Sequence, residues 1–315
     1  MSTRYYQIFF ISFVFALLMG GGFYGFGADF YAVYYKPNLA WSNFQDQLGY
    51  MLSTLTVYKT HLAVYLASFL LSLSTGLLLF KTTYRYFYGK YCWLFFLLYL
   101  MLIHTWPIFM STSNGMRQGF SMSFLFLALY FLLSKKYFWY LVSIGLVITT
   151  HKSGLLFALL LVGVNIYNNQ IKKWFSSLST QRNLLIISGF LLAIILYILI
   201  PIVFNNHIPS RIIYGDYRYP FLVINSVYIV LYVKYLYVKH DQIDTFLLIS
   251  SFAFPVFLFY GFNWEYERFN MTLLILYMIS FSKIFVDRDK KIVLLLAITL
   301  LLIMTGFSGM YASFK

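Results

Sequence analysis

The sequence predicts an all-α, polytopic integral membrane protein of about eleven transmembrane helices. Three observations carry that prediction. Hydrophobic residues make up 61% of the 315 and charged residues only 10%. Mean hydropathy is +0.76. Apolar stretches near the length needed to cross a bilayer recur along the whole chain. The loops between them are too short to fold a core of their own, so residues 1–315 read as a single membrane-embedded domain with no soluble catalytic module.

The first segment, residues 5–26, is longer than the apolar part of a secretory signal and lacks a clear Ala-x-Ala cleavage site, which makes it a membrane helix. Segments at 60–80, 91–110 and 116–133 follow. Residues 137–150 and 154–168 are shorter and are separated only by His151-Lys152-Ser153-Gly154, so they read as two helices, one long broken helix or a re-entrant pair. The rest lie at 183–204, 220–237, 244–262, 269–284 and 292–310. The single cysteine, Cys92, excludes an intrachain disulfide and any thiolate metal cluster, and reads as a packing residue.

Lysine and arginine counts on alternate sides set the orientation. With the N-terminus inside, 15 of the 23 fall on the cytoplasmic side, among them Arg4, Lys81, Lys135, Lys136, Lys172, Lys173 and Arg182. The remaining 8 are external: Lys36, Lys59, Arg117, Lys152, Arg211, Arg218, Arg268 and Lys315. The topology is therefore N-in, C-out. The net charge of +14 follows from loops facing anionic lipid, and does not point to nucleic acid.

Four external cations share a placement. Arg117, Lys152, Arg218 and Arg268 each lie at or just before the outer end of a helix running inward, which is that helix's N-terminus. This end already carries partial positive charge and free N–H groups, so a cation there is mildly unfavourable unless an anion is bound. A diphosphate fits four such placements. The competing reading has these side chains reaching to the interface or pairing with Asp216, Glu265 and Glu267. Arg117 stands out, because it sits in the polar run Ser111-Thr-Ser-Asn-Gly-Met-Arg-Gln-Gly119, where an ionisable group costs about 2.5–3.5 kcal/mol at membrane depth.

Two residues are candidate proton acceptors. Asp29, at the start of the first external loop, reads either as a base or as a turn residue. His151, at a helix break beside Lys152 and Ser153, reads either as a general base or as a structural histidine. Asp287-Arg288-Asp289 resembles a metal-binding D-x-D but lies in a lysine-rich cytoplasmic loop, where a solvated loop is the simpler reading. No phosphate loop of Walker or dinucleotide type, no H-E-x-x-H and no zinc spacing is present in the sequence, so no cofactor is expected. The 35 Phe and 30 Tyr fit interfacial belts and lipid-facing surfaces before they fit sugar stacking.

The run Ser113-Asn-Gly-Met-Arg-Gln-Gly-Phe-Ser-Met-Ser-Phe124, then Lys135-Lys136, then Ile148-Thr-Thr-His-Lys-Ser-Gly-Leu155 resembles the EpsG-like branch of the Wzy-type polysaccharide polymerases. Asp29 with its following tyrosines, and Tyr266-Glu-Arg-Phe269, are similar to that family's first-loop aspartate and late arginine loop. The resemblance implies a GT-C-like glycosyltransferase of the bacterial cytoplasmic (inner) membrane, with its active site facing the periplasm or exterior. Its donor and acceptor would be undecaprenyl-diphosphate-linked oligosaccharides, joined into O-antigen, capsule or exopolysaccharide by inverting, metal-independent transfer. Arg117, Gln118, Asn114 and Arg268, with Arg218, Arg211 and Lys152, would hold diphosphate, and His151 or Asp29 would take the hydroxyl proton. Membrane lipid and a chain-length regulator protein are the other expected partners. The alternative is a lipid-linked oligosaccharide flippase of the same pathway, using the same anion site without bond formation.

Overall fold

The computed structural model describes residues 2–23, 61–83, 92–114, 116–151, 153–175, 177–204, 218–236 and 241–287. All regular structure among them is helical: α1 (Ser2–Gly20), α2 (Leu62–Thr83), α3 (Cys92–Ile103), α4 (Trp106–Phe109), α5 (Met116–Leu133), α6 (Tyr137–Thr150), α7 (Gly154–Asn169), α8 (Leu178–Phe204), α9 (Arg218–Leu231), α10 (Gln242–Ala253), α11 (Val256–Phe259) and α12 (Asn263–Asp287). A π-helical turn, Met110–Asn114, leads into α5, and a second, Tyr232–Leu236, ends α9. Six of the described helical stretches are long and apolar enough to cross a membrane, or seven if the bent pair α3–α4 counts as one span. The chain is thus an all-α polytopic membrane protein. The segment expected at 292–310 lies outside the described residues.

Helix ends coincide with local signals. After α5 the Lys136 N–H donates to Phe131 O and the Lys135 N–H to Leu132 O, with Lys135 in the left-handed region at φ 57. Gly22, at φ 76, closes α1 the same way: the Phe23 N–H donates to Leu18 O. Both are Schellman stops, which satisfy carbonyls that would otherwise be orphaned. The third segment, expected as one helix, bends by 52° between α3 and α4. Pro107 is the cause, since it has no N–H to give and is tolerated only in a first helical turn, where α4 begins.

The chain divides into two compact units, with a boundary after Leu159, inside α7. In the first, α1 runs antiparallel to α2: Tyr5 meets Phe80 edge-on, and Gly20 lies against the Tyr65 ring. At Gly76 a Cβ would come within 2.7 Å of Ile8 and 2.8 Å of Tyr99, so glycine there sets how closely three helices approach. Tyr99 ties them, donating to Ser72 O at 3.0 Å and lying 2.7 Å from Ser12 Oγ. Helix α5 packs on both α2 and α6, and its Tyr130 lies beside Tyr5. One end of this unit therefore gathers Arg4, whose guanidinium lies 5.9 Å above the Phe80 ring, with Lys81, Lys135 and Lys136.

In the second unit α10 runs parallel to α8 and antiparallel to α12, as the Phe190–Phe252, Tyr197–Tyr260 and Phe254–Phe269 ring contacts fix. Its core is a polar ladder. Asn225 donates to Tyr266 Oη at 3.1 Å and accepts from Tyr277 Oη at 2.6 Å, and Tyr277 in turn contacts Ser251 Oγ at 2.7 Å. Further along, Tyr228 and Ser280 both donate to Asp244 Oδ1, a carboxylate with no exposed surface. With no water in a hydrocarbon core, every rung must be satisfied by another. Lys172, Lys173 and Arg182 lie at the Asp244 end, and Phe221, Tyr266 and Arg268 at the other.

Outward-facing side chains on α1 and α8 are large and apolar: Phe9, Phe10, Phe13 and Leu17 on one, Ile187, Phe190, Leu191, Ile194 and Ile198 on the other. Such stripes suit a lipid surface, not water.

Helix α10 starts with a complete capping box. Asp241 Oδ1 accepts from the Ile243 and Asp244 N–H groups, and Asp244 Oδ2 accepts from the Asp241 N–H at 3.0 Å. Asp241→Ala should cost about 1 kcal/mol, in line with typical cap losses, read as a lower melting temperature of the detergent-solubilised protein, while Asp241→Asn stays near wild type. Equal losses in the two variants would mean that the cap contributes nothing specific.

Candidate functional site at the end of the α5–α6 hairpin

Helices α5 and α6 form an antiparallel hairpin about the turn at 134–136. At 1.5 Å rise per residue, Arg117 stands about 24 Å from that turn along α5 and His151 about 21 Å along α6. The two motifs, 34 residues apart in sequence, are thus brought to the same end of the hairpin. Arg4, Lys81, Lys135 and Lys136 occupy the other end of the unit.

Arg117 is the second residue of α5 and Gln118 the third, so both lie in the first turn, where N–H groups point out of the helix and positive potential is highest. Arg117 is half-buried and Gln118 only 8% exposed. One turn on, on the same face as Arg117, the buried Ser121 hydroxyl has no hydrogen-bond partner among the described residues. The π turn that precedes α5 is anchored by Thr112 Oγ1 donating to Ile108 O at 2.8 Å and by Ser111 Oγ donating to Met122 Sδ at 3.2 Å. Asn114 ends that turn. Its side chain lies outside the described residues.

Each motif closes on a glycine that touches the preceding segment's backbone. A methyl group at Gly119 would overlap the Ser111 carbonyl, and one at Gly154 would overlap the Val147 carbonyl. These contacts press the start of α5 against the π turn and the start of α7 against the last turns of α6. Backbone approach this close requires the absence of a Cβ. Arg117 and Gln118 on one strap, and His151 and Ser153 on the other, are positioned by them.

His151 ends α6 in extended conformation, φ −154 and ψ 139, and is 5% exposed. Its Nδ1 receives the Ser153 backbone N–H at 3.2 Å and lies 2.6 Å from Ser153 Oγ. A backbone N–H is always a donor, so Nδ1 presents its lone pair to it, and in the neutral ring the proton sits on Nε2. The break between α6 and α7 is a tight turn, closed by the Gly154 N–H donating to His151 O at 2.7 Å.

The remaining expected ligands are distributed differently. Arg268 was expected just before a helix starting at 269. Helix α12 begins earlier, at Asn263, so Arg268 sits in its second turn, with Glu265 in the first turn and the buried Glu267 beside it. Two acids near a helix N-terminus stabilise that earlier start. Arg218 opens α9, and its side chain lies outside the described residues. Asp29, Lys152, Arg211 and most of Asp287-Arg288-Asp289 also lie outside them. The Asn225–Tyr277–Ser251 ladder was not anticipated. Asn225, Tyr228 and Tyr232 recur at helical spacing in a hydrophobic segment, and that was the available signal.

A family model described as the EpsG family matches residues 6–314. The chain belongs to the EpsG family. No curated protein and no solved structure matches it. Membership gives this EpsG-family protein a polysaccharide-polymerase-type function on lipid-linked saccharides in a membrane.

In this EpsG-family protein Gly119→Ala should cut polymer formation at least tenfold while Gly145→Ala, where an added methyl group meets nothing among the described residues, leaves it unchanged. Polymer gel analysis at matched membrane levels measures it. Wild-type polymer from Gly119→Ala would show that the strap does not position the site.

Proposed function

We propose that this protein elongates a surface polysaccharide by joining oligosaccharide repeat units carried on undecaprenyl diphosphate, at the outer face of the bacterial cytoplasmic membrane. The observation that supports this best is the coincidence of Arg117, Gln118 and His151 at the hairpin end opposite Arg4, Lys81, Lys135 and Lys136. Lysine-rich ends favour the cytoplasm, which turns the motif end outward and makes the chain N-in.

In the proposed reaction a hydroxyl at the non-reducing end of the acceptor unit attacks the anomeric carbon of the donor chain. The bond from that carbon to the diphosphate oxygen breaks, undecaprenyl diphosphate leaves with the electron pair, and a single displacement inverts the anomeric centre. Charge develops on the leaving diphosphate. Arg117 and the α5 N-terminus supply fixed positive potential there, which is the role a metal ion plays elsewhere. Of the two proton acceptors named from sequence, Asp29 is the one we favour, because the Nδ1 lone pair of His151 faces its own chain. Asn114, Lys152 and Gln118 flank Arg117 or His151 in sequence. Arg268, with Arg211 and Arg218, is assigned a phosphate-binding role of its own in the second unit.

Arg117→Ala should lower turnover by about 100-fold or more, the usual cost of losing one such stabilising donor, with single repeat units still reaching the cell surface. Arg117→Lys should recover only part, since the charge survives and the two-pronged donor geometry does not. Turnover should be unaffected by EDTA. Full activity in Arg117→Ala removes the residue from the site. Loss of surface single units instead of polymer favours a flippase.

Orientation has its own test. In a Cys92→Ser background, a cysteine at Lys136 should resist a membrane-impermeant maleimide in intact cells, and one at Asn206 should react. The reverse pattern would put the motif end inside.

A further inference from the structure

Within the polymerase reading, we infer that Ser121 is a further ligand of the substrate's diphosphate, donating its hydroxyl to a phosphate oxygen held at the α5 N-terminus beside Arg117. Serine and threonine hydroxyls inside membrane helices ordinarily return to a backbone carbonyl three or four residues back, where they offer nothing to a ligand. Ser12, Ser72, Thr75 and Ser123 all do so here, at 2.6–2.8 Å. Ser121 does not. It is 3% exposed, and its Oγ has no hydrogen-bond partner among the described residues, although the Arg117 carbonyl lies one turn back on the same helix. The contrast with Ser123 is local: both serines are buried in one turn of α5, and only Ser123 is satisfied by its own helix.

Position indicates what the hydroxyl serves. Ser121 follows Arg117 by four residues and shares its face. Leu125, Ala128 and Leu132 continue that face and are buried, so packing closes it toward the hairpin turn. A helical side chain leans toward the N-terminus of its own helix, which aims the Ser121 hydroxyl at the first turn of α5, where N–H groups and Arg117 concentrate positive potential. At 1.5 Å per residue Ser121 stands about 18 Å from the end of α5, level with the last turn of α6, and thus between the Arg117 and His151 motifs. A diphosphate there presents only acceptors. A hydroxyl donor gives it direction without adding charge. Without such a ligand, the same buried hydroxyl destabilises the fold, so Ser121 weakens the free protein and strengthens the complex.

These opposite signs define the experiment. In nanodiscs, Ser121→Ala should melt about 2 °C or more above wild type. It should also bind undecaprenyl diphosphate about tenfold or more weakly in a native mass spectrometry titration, the usual cost of one hydrogen bond to a charged group. Ser123→Ala controls for helix propensity: it should gain less in melting temperature and keep wild-type affinity. Undecaprenol, which has the tail without the diphosphate, should bind wild type and Ser121→Ala alike. A lower melting temperature in Ser121→Ala would make the residue structural. Undiminished affinity for undecaprenyl diphosphate would leave its hydroxyl to an ordered water only, and an equal loss with undecaprenol would make it a tail contact; each of the three overturns the inference. None of these measurements needs turnover, so a wild-type protein that binds the diphosphate lipid without polymerising would sink the polymerase reading alone.

Discussion

Breaking a helix at membrane depth frees backbone groups that lipid cannot satisfy, and that constraint shapes the whole candidate site. Both motifs interrupt helices, one through a π turn into α5 and the other through the tight turn between α6 and α7. The interruptions survive because each is folded back on the preceding segment, with Gly119 against Ser111 and Gly154 against Val147. Side chains fill what the backbone leaves: Thr112 returns to Ile108 O, Ser123 to Gly119 O at 2.7 Å, and Ser153 to His151. Arg117 in such a place is thus supported by local backbone packing.

The second unit answers the same constraint differently. Its helices are not interrupted at the core but cross-linked through it, from Tyr266 to Asn225 to Tyr277 to Ser251, and from Tyr228 and Ser280 to Asp244. Interhelical hydrogen bonds in membrane proteins are worth about 0.6 kcal/mol on average, reaching about 1.7. Their value here lies in register: slipping α12 by one turn would strand a carboxylate and several hydroxyls in an apolar core, at a cost well above any single bond. Asp244 is doubly committed, as part of the α10 cap and as acceptor for two other helices.

Much of this was legible in the sequence. Hydropathy placed α5 and α6 at their observed bounds, 116–133 and 137–150, because both stop at signals a sequence displays: the Lys135-Lys136 pair and the His151 to Gly154 break. The resemblance drawn from Arg117, His151 and their neighbours agreed with the family match. What escaped was set by partners distant in sequence. The start of α12 at Asn263 was missed because Glu265, Glu267 and Arg268 read as loop when only apolar content is weighed. Similarly, Asn225 looked like an isolated polar residue, since its partners Tyr266 and Tyr277 lie 41 and 52 residues away. The orientation of the His151 ring was beyond sequence altogether, because it depends on where one backbone N–H points.

The proposed anion site carries an electrostatic cost when it is empty. Arg117 adds its charge to the positive potential of a helix N-terminus, and it stands half-buried near the end of a membrane helix and not at its middle. On the proposed reading, the fixed charge of Arg117 and the N–H groups of the α5 N-terminus act on the same multiply charged headgroup, the first attracting it and the second giving it direction.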